Sequence, residues 1–109
     1  MWVDGHGGTH GRDIPIDAAL TDASGPAGTL HYDFGFNLSA DGTSSTAWCD
    51  FTMHLDGYGT FAGTCNGTLV AGQIDGRGSD ATLVGTYVLE PGGYLGFGPY
   101  DLQLGLRFR

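Results

Sequence analysis

The chain has 109 residues, of which 40% are hydrophobic, 15% charged and 21 glycine, and its 12 acids against 4 bases give a formal net charge of −8. That length fits one small domain with a single core, and no apolar run approaches the ~18 residues of a membrane helix. The glycines follow no collagen period, and so acidic a surface repels phosphate, which makes nucleic acid and anionic membranes poor partners, and no nucleic acid is expected.

Residues 1–11 read as a flexible N-terminal arm ahead of a β-domain over 12–109. Met1 leads straight into Trp2 and a Gly/His stretch, so no signal peptide is expected in this chain. Within the arm, His6 and His10 stand near Asp4 and Asp13 and are candidate ligands for a divalent metal. A glycine-rich extension without fixed geometry is the simpler account of the same residues.

Beyond the arm the dominant period is two, and helical signals are nearly absent. Ile14, Ile16, Ala18 and Leu20 alternate with Asp13, Pro15, Asp17 and Ala19; Leu30, Tyr32, Phe34, Phe36 and Leu38 alternate with more polar neighbours; Leu102, Leu104, Leu106 and Phe108 do the same near the C-terminus. Turn dipeptides at Asp41-Gly42, Asp56-Gly57, Asn66-Gly67, Asp75-Gly76 and Pro91-Gly92 punctuate these runs. Seven strands are predicted near 12–20, 29–38, 45–55, 59–65, 68–75, 81–89 and 100–108, with an eighth at 94–98.

The turns predict registers. A turn at Asp41-Gly42 sets Phe36 opposite Ala47, Phe34 opposite Cys49, Tyr32 opposite Phe51 and Leu30 opposite Met53. A loop at 56–58 sets Cys49 opposite Cys65, Phe51 opposite Gly63 and Met53 opposite Phe61. Directly opposed antiparallel residues lie ~4.5–5.5 Å apart at Cα, within disulfide reach, so Cys49 and Cys65 are expected to be bonded. The bond would close a loop of about 17 residues, worth about 3 kcal/mol in the chain-entropy model. A turn at Asn66-Gly67 pairs Phe61 with Gly72 and Gly63 with Val70. All three hairpins put their apolar residues on one face, and a one-residue slip would invert it.

Sequential antiparallel strands with one apolar face and short turns predict a single all-β, up-and-down antiparallel barrel of seven or eight strands, with a β-sandwich as the alternative. Gly35, Gly63, Gly72, Gly85 and Gly105 suit tight coiling, and Pro15 belongs at the seam. Gly85-Thr-Tyr87 resembles the calycin and avidin-type barrels. Gly59-Thr-Phe61-Ala-Gly63 with Gly76-Arg-Gly78 is similar to allene oxide cyclase and dirigent barrels. Both resemblances rest on glycine spacing in the middle third of the chain and imply a small barrel without assigning functional residues.

The inward face is aromatic. Tyr32, Phe34, Phe36, Phe51, Met53, Phe61 and Tyr87 are the candidate ligand-binding residues of an interior cavity, with Gly63 and Gly72 leaving room beside Phe51 and Phe61. A barrel plugged by its own side chains is the competing expectation. On the outer face Asp33 faces Asp50, a second candidate metal pair, and Trp48 lies over Gly35 as a cover or a sugar-stacking platform. No GxSxG, HExxH, Walker or EF-hand loop is present, and no cofactor is expected.

The leading expectation is an exported barrel, secreted or periplasmic, that binds a small apolar or amphipathic molecule. A cofactor-free cyclase or isomerase would use the same cavity, with Tyr32 or Tyr87 as the only evident catalytic groups. A carbohydrate-binding module would use Trp48, Tyr58, Tyr94 and Tyr100. A structural subunit would form a homo-oligomer through an edge strand at 12–20 or 100–108. Asn37 and Asn66 head formal glycosylation sequons.

Overall fold

Alternation of two, interrupted by turn-forming dipeptides, produces strands throughout. The computed structural model describes residues 1–94 and 98–108. Its elements are β1 (Trp2–Val3), β2 (Thr9–Asp22), β3 (Gly25–Leu38), β4 (Ser45–Leu55), β5 (Gly59–Gly67), β6 (Ala71–Arg77), β7 (Ala81–Tyr94) and β8 (Gly98–Phe108). They form one antiparallel sheet in sequence order, β1 through β8. The fold is therefore all-β and up-and-down, as expected. The expected strand at 94–98 falls on residues 95–97, which lie outside the described residues.

Two predicted registers recur in the structure. Phe36 pairs with Ala47, Phe34 with Cys49, Tyr32 with Phe51 and Leu30 with Met53. Cys49 then pairs with Cys65, Phe51 with Gly63 and Met53 with Phe61. The Cys49 and Cys65 Cα atoms lie 4.9 Å apart and the two sulfurs are bonded.

The third register differs. Asn66 and Gly67 do not turn; they extend β5 and pair with Gln73 and Gly72. Gly63 faces Gly76 instead of Val70, and Phe61 covers Gly78 instead of Gly72. The chain reverses at Thr68–Val70, where the Thr68 amide donates to the Ala71 carbonyl oxygen (2.8 Å) and Thr68 Oγ1 accepts from the Val70 and Ala71 amides. This longer loop lets Leu69 turn inward and become buried, its amide donating to Ser45 Oγ at 3.1 Å. Continuing β5 also keeps Trp48 paired with Asn66 and Ala47 with Gly67. The displacement is an even number of positions, so the buried face is preserved and Ile74 still points inward.

The expected flexible arm is a short hairpin. Trp2 pairs with His10 and Val3 with Thr9. Asp4 closes the turn, its Oδ1 accepting from the His6 and Gly8 amides at 2.8 and 3.0 Å. Two residues of β2, Arg12 and Asp13, then bulge between the Gly11–Phe36 and Ile14–Phe34 pairs, with Asp13 at φ 53°.

The core gathers Phe34, Phe36, Cys49, Phe51, Met53, Phe61, Leu69, Ile74, Ala81, Leu83 and Tyr87. The inward residues of β2 and β8, such as Ile16 and Leu104, are only half-buried against it. The hydrogen-bonded sheet ends at β8 and does not close on β1 or β2. Pro15, expected at the seam, pairs only with Asp33, leaving its ring on the free edge of β2. No helix of the described residues is long and apolar enough to cross a membrane.

Candidate functional site

The unclosed edge borders a concavity lined by the aromatic face; a second, more open one of about 450 Å³ lies beside Asp4, His6 and His10. Ala18–Thr21 of β2 border the first on one side and Pro99–Leu102 of β8 on the other, although these strands share no ladder. Between them lies a cavity of about 430 Å³, floored by the aromatic face of β3 and β4. Exposed Glu90 and Asp101 also line it, so it opens to solvent.

Of the seven candidate ligand residues, Tyr32, Phe34, Phe51, Met53 and Tyr87 line this cavity. Phe36 and Phe61 do not. Phe36 stacks on Phe34 with ring centroids 5.7 Å apart and fills the space over Gly11, where a Cβ would meet its ring at 2.6 Å. Phe61 is 1% exposed and packs over Gly78. The cavity therefore does not arise where aromatics face glycines. A Cβ at Gly63 would run into the Asp75 carbonyl oxygen, because β6 approaches closely there. At Gly72 a Cβ would meet the Tyr87 ring and hydroxyl. Glycine here permits close strand approach, and the space comes from the gap between β2 and β8.

Tyr87 and Tyr100 form one wall, their rings edge to face with centroids 5.4 Å apart. Tyr87 donates its hydroxyl to the Thr68 carbonyl oxygen at 2.7 Å, and Tyr100 donates to the Leu69 carbonyl oxygen at 2.6 Å. These bonds tie β7 and β8 to the β5–β6 turn. Burial, with a smaller contribution from Tyr100, pushes the Tyr87 hydroxyl up to about 12. Tyr32 is raised for the same two reasons. Both candidate catalytic tyrosines are thus neutral near pH 7 and supply no base there.

Sequence reasoning missed Tyr100 and Leu69 as cavity residues. Tyr100 shares the parity of Leu102, Leu104 and Leu106, a signal that placed it inside had the alternation been extended upstream. Leu69 carried no such signal, because the turn that buries it was misplaced. The four aromatics considered for carbohydrate do not form one platform. Trp48 and Tyr100 both border the cavity, but the Trp48 ring lies over Gly35, and Tyr58 sits at the β4–β5 turn beside Phe108. The Tyr94 side chain lies outside the described residues.

The candidate metal residues are engaged otherwise. His10 Nε2 lies 2.6 Å from Asp4 Oδ2 and its Nδ1 2.6 Å from Asn37 Oδ1, and its ring stacks on Trp2. The Asp4 hydrogen bond, then that of Asn37, raises the His10 pKa. The backbone amide of His6, and not its ring, binds Asp4. Asp33 pairs with Asp50 across the strands and lies 3.5 Å from His31 Nε2, while His31 Nδ1 contacts Asp17 Oδ1 at 2.7 Å. Among the described residues no three His, Cys, Asp or Glu side chains are grouped to hold a metal ion.

Comparison with protein-family models, with characterised proteins and with solved structures finds no match to this chain.

Proposed function

We propose that this domain binds a small apolar or amphipathic molecule in the cavity between β2 and β8, and that it works outside the reducing cytoplasm, in a secreted or periplasmic setting. The observation that carries the reading is the 430 Å³ cavity with Tyr32, Phe34, Phe51, Met53, Tyr87 and Tyr100 on its walls. Concave sites of this size with aromatic walls and few polar groups are characteristic of small-molecule binding. The Cys49–Cys65 bond supports the compartment, since such bonds persist where thiols are not kept reduced.

The test is binding of a neutral apolar dye, N-phenyl-1-naphthylamine, followed by fluorescence. Saturable binding to the folded protein is expected. Ala18→Phe, which adds a ring at a half-buried position on the cavity wall, should abolish it while leaving the melting transition cooperative. Absence of binding to the wild type, or undiminished binding to the variant, refutes the reading.

A further inference from the structure

We infer that the occupant of this cavity is a cationic amphiphile, an apolar chain or ring bearing an ammonium group; the inference rests on the binding reading above. No Arg or His is among the described residues that line the cavity, and the chain contains no Lys. The described arginines are elsewhere: Arg12 lies over the Trp2 ring, and Arg77 and Arg107 are exposed on the outer face, with Thr82 paired to each. A carboxylate or phosphate headgroup would enter without a counter-charge, which is costly in an apolar site.

The opposite charge is provided for. Glu90 and Asp101 are the ionisable acids among the described residues of the cavity lining, and both are exposed; Asp101 alternates with inward Tyr100 and Leu102, so its carboxylate stands at the outer rim of β8. Behind them stand Tyr32, Tyr87 and Tyr100. Because the hydroxyl hydrogens of Tyr87 and Tyr100 are committed to backbone carbonyls, those two rings keep fixed orientations. Rigid aromatic faces attract ammonium groups through the ring quadrupole, and a net charge of −8 steers cations toward the protein. The chain then lies along Phe34 and Met53, and the head stays near the carboxylates.

The experiment displaces N-phenyl-1-naphthylamine from the wild-type protein with three chain-matched probes below their micellar concentrations: decyltrimethylammonium, decanol and decanoate. Decyltrimethylammonium is expected to compete at roughly tenfold lower concentration than decanoate at low salt, with the gap narrowing as salt rises. The double variant Glu90→Gln, Asp101→Asn should bring the ammonium probe close to decanol. The double variant Asp33→Asn, Asp50→Asn, altered on the outer face, should leave its advantage intact. Equal competition by all three probes, or a decanoate preference, overturns the cationic assignment while the binding reading stands. If the outer-face variant loses the advantage as fully as the mouth variant, diffuse surface charge is the cause and the assignment also falls. If the dye does not bind at all, both readings fail together.

Discussion

His10 shows how one side chain organises a segment that composition marks as loose. Its two ring nitrogens meet a carboxylate and an amide oxygen, both acceptors, so the doubly protonated ring satisfies both. Its pKa is raised, chiefly by Asp4, and the Asp4 pKa is lowered, chiefly by His10. The signs follow from linkage. The His10 contribution is complete below its ordinary value of 6.5 and is lost as pH rises through the raised folded value. The Asp4 contribution is present above 3.8 and is lost as pH falls through its depressed value. The β1–β2 hairpin should therefore be best protected between those limits. Exchange of the Asp4 amide, which donates to the Gly8 carbonyl oxygen at 2.9 Å, should accelerate on the alkaline side beyond the intrinsic pH trend, and Asp4→Asn should remove that excess. Exchange that follows only the intrinsic trend would contradict this account.

Gly63 makes a second prediction at the same scale. Its missing Cβ is what lets the β6 backbone approach at Asp75 and Gly76. Gly63→Leu should overpack the sheet and destabilise it by at least ~1–3 kcal/mol. Denaturant melts will decide, with Ala18→Phe as the comparison because that position faces open space. A neutral Gly63→Leu would mean the strands can part.

At the scale of elements, the β3–β4–β5 meander supplies Phe34, Phe36, Cys49, Phe51, Met53 and Phe61 to the core. Phe51 is 5% exposed and its ring is 2.9 Å from where a Cβ on Gly76 would stand. Phe51→Ala should cost roughly 3–5 kcal/mol. The Cys49–Cys65 bond lies within the same meander, and its reduction should remove about 3 kcal/mol on the chain-entropy account. Urea melts with and without reductant measure that difference, and mass spectrometry of the untreated protein should find no free thiol. The meander is also where the sequence was most legible. Asp41 illustrates why: it accepts from Ser39 Oγ, Thr43 N and Thr43 Oγ1, all within two residues, and these bonds hold its pKa down at about 2. A turn made from its own neighbours can be read locally, and it carries the register of the hairpin with it. The β5–β6 turn could not be read this way, because Leu69 is placed partly by Ser45, on a strand distant in sequence.

For the whole molecule, the unclosed edge decides both the cavity and the risk of self-association. The outer edge of β2 carries Pro15 with Asp13, Asp17 and Asp22, and β8 carries Pro99, Asp101 and Arg107. Prolines and charges along free strands discourage edge pairing. Pro15→Val together with Asp17→Val should raise the sedimentation-equilibrium mass at concentrations where the wild type shows no such rise. An unchanged mass would show that the β2 edge is protected in some other way.

Alternation by two and local turn chemistry determined the all-β up-and-down order, the single apolar face, the first two registers and the disulfide. Each of these depends on neighbours along the chain or directly across a short hairpin. Tertiary structure alone decided that the arm folds back as β1, that Leu69 rather than Val70 enters the core, and that β2 and β8 stop short of pairing. Those outcomes depend on how far a coiled sheet bends before its edges meet, a sum of small twists over every strand that no local pattern encodes. The candidate site lies in that remaining gap, which is why its aromatic wall was visible in the sequence and its location was not.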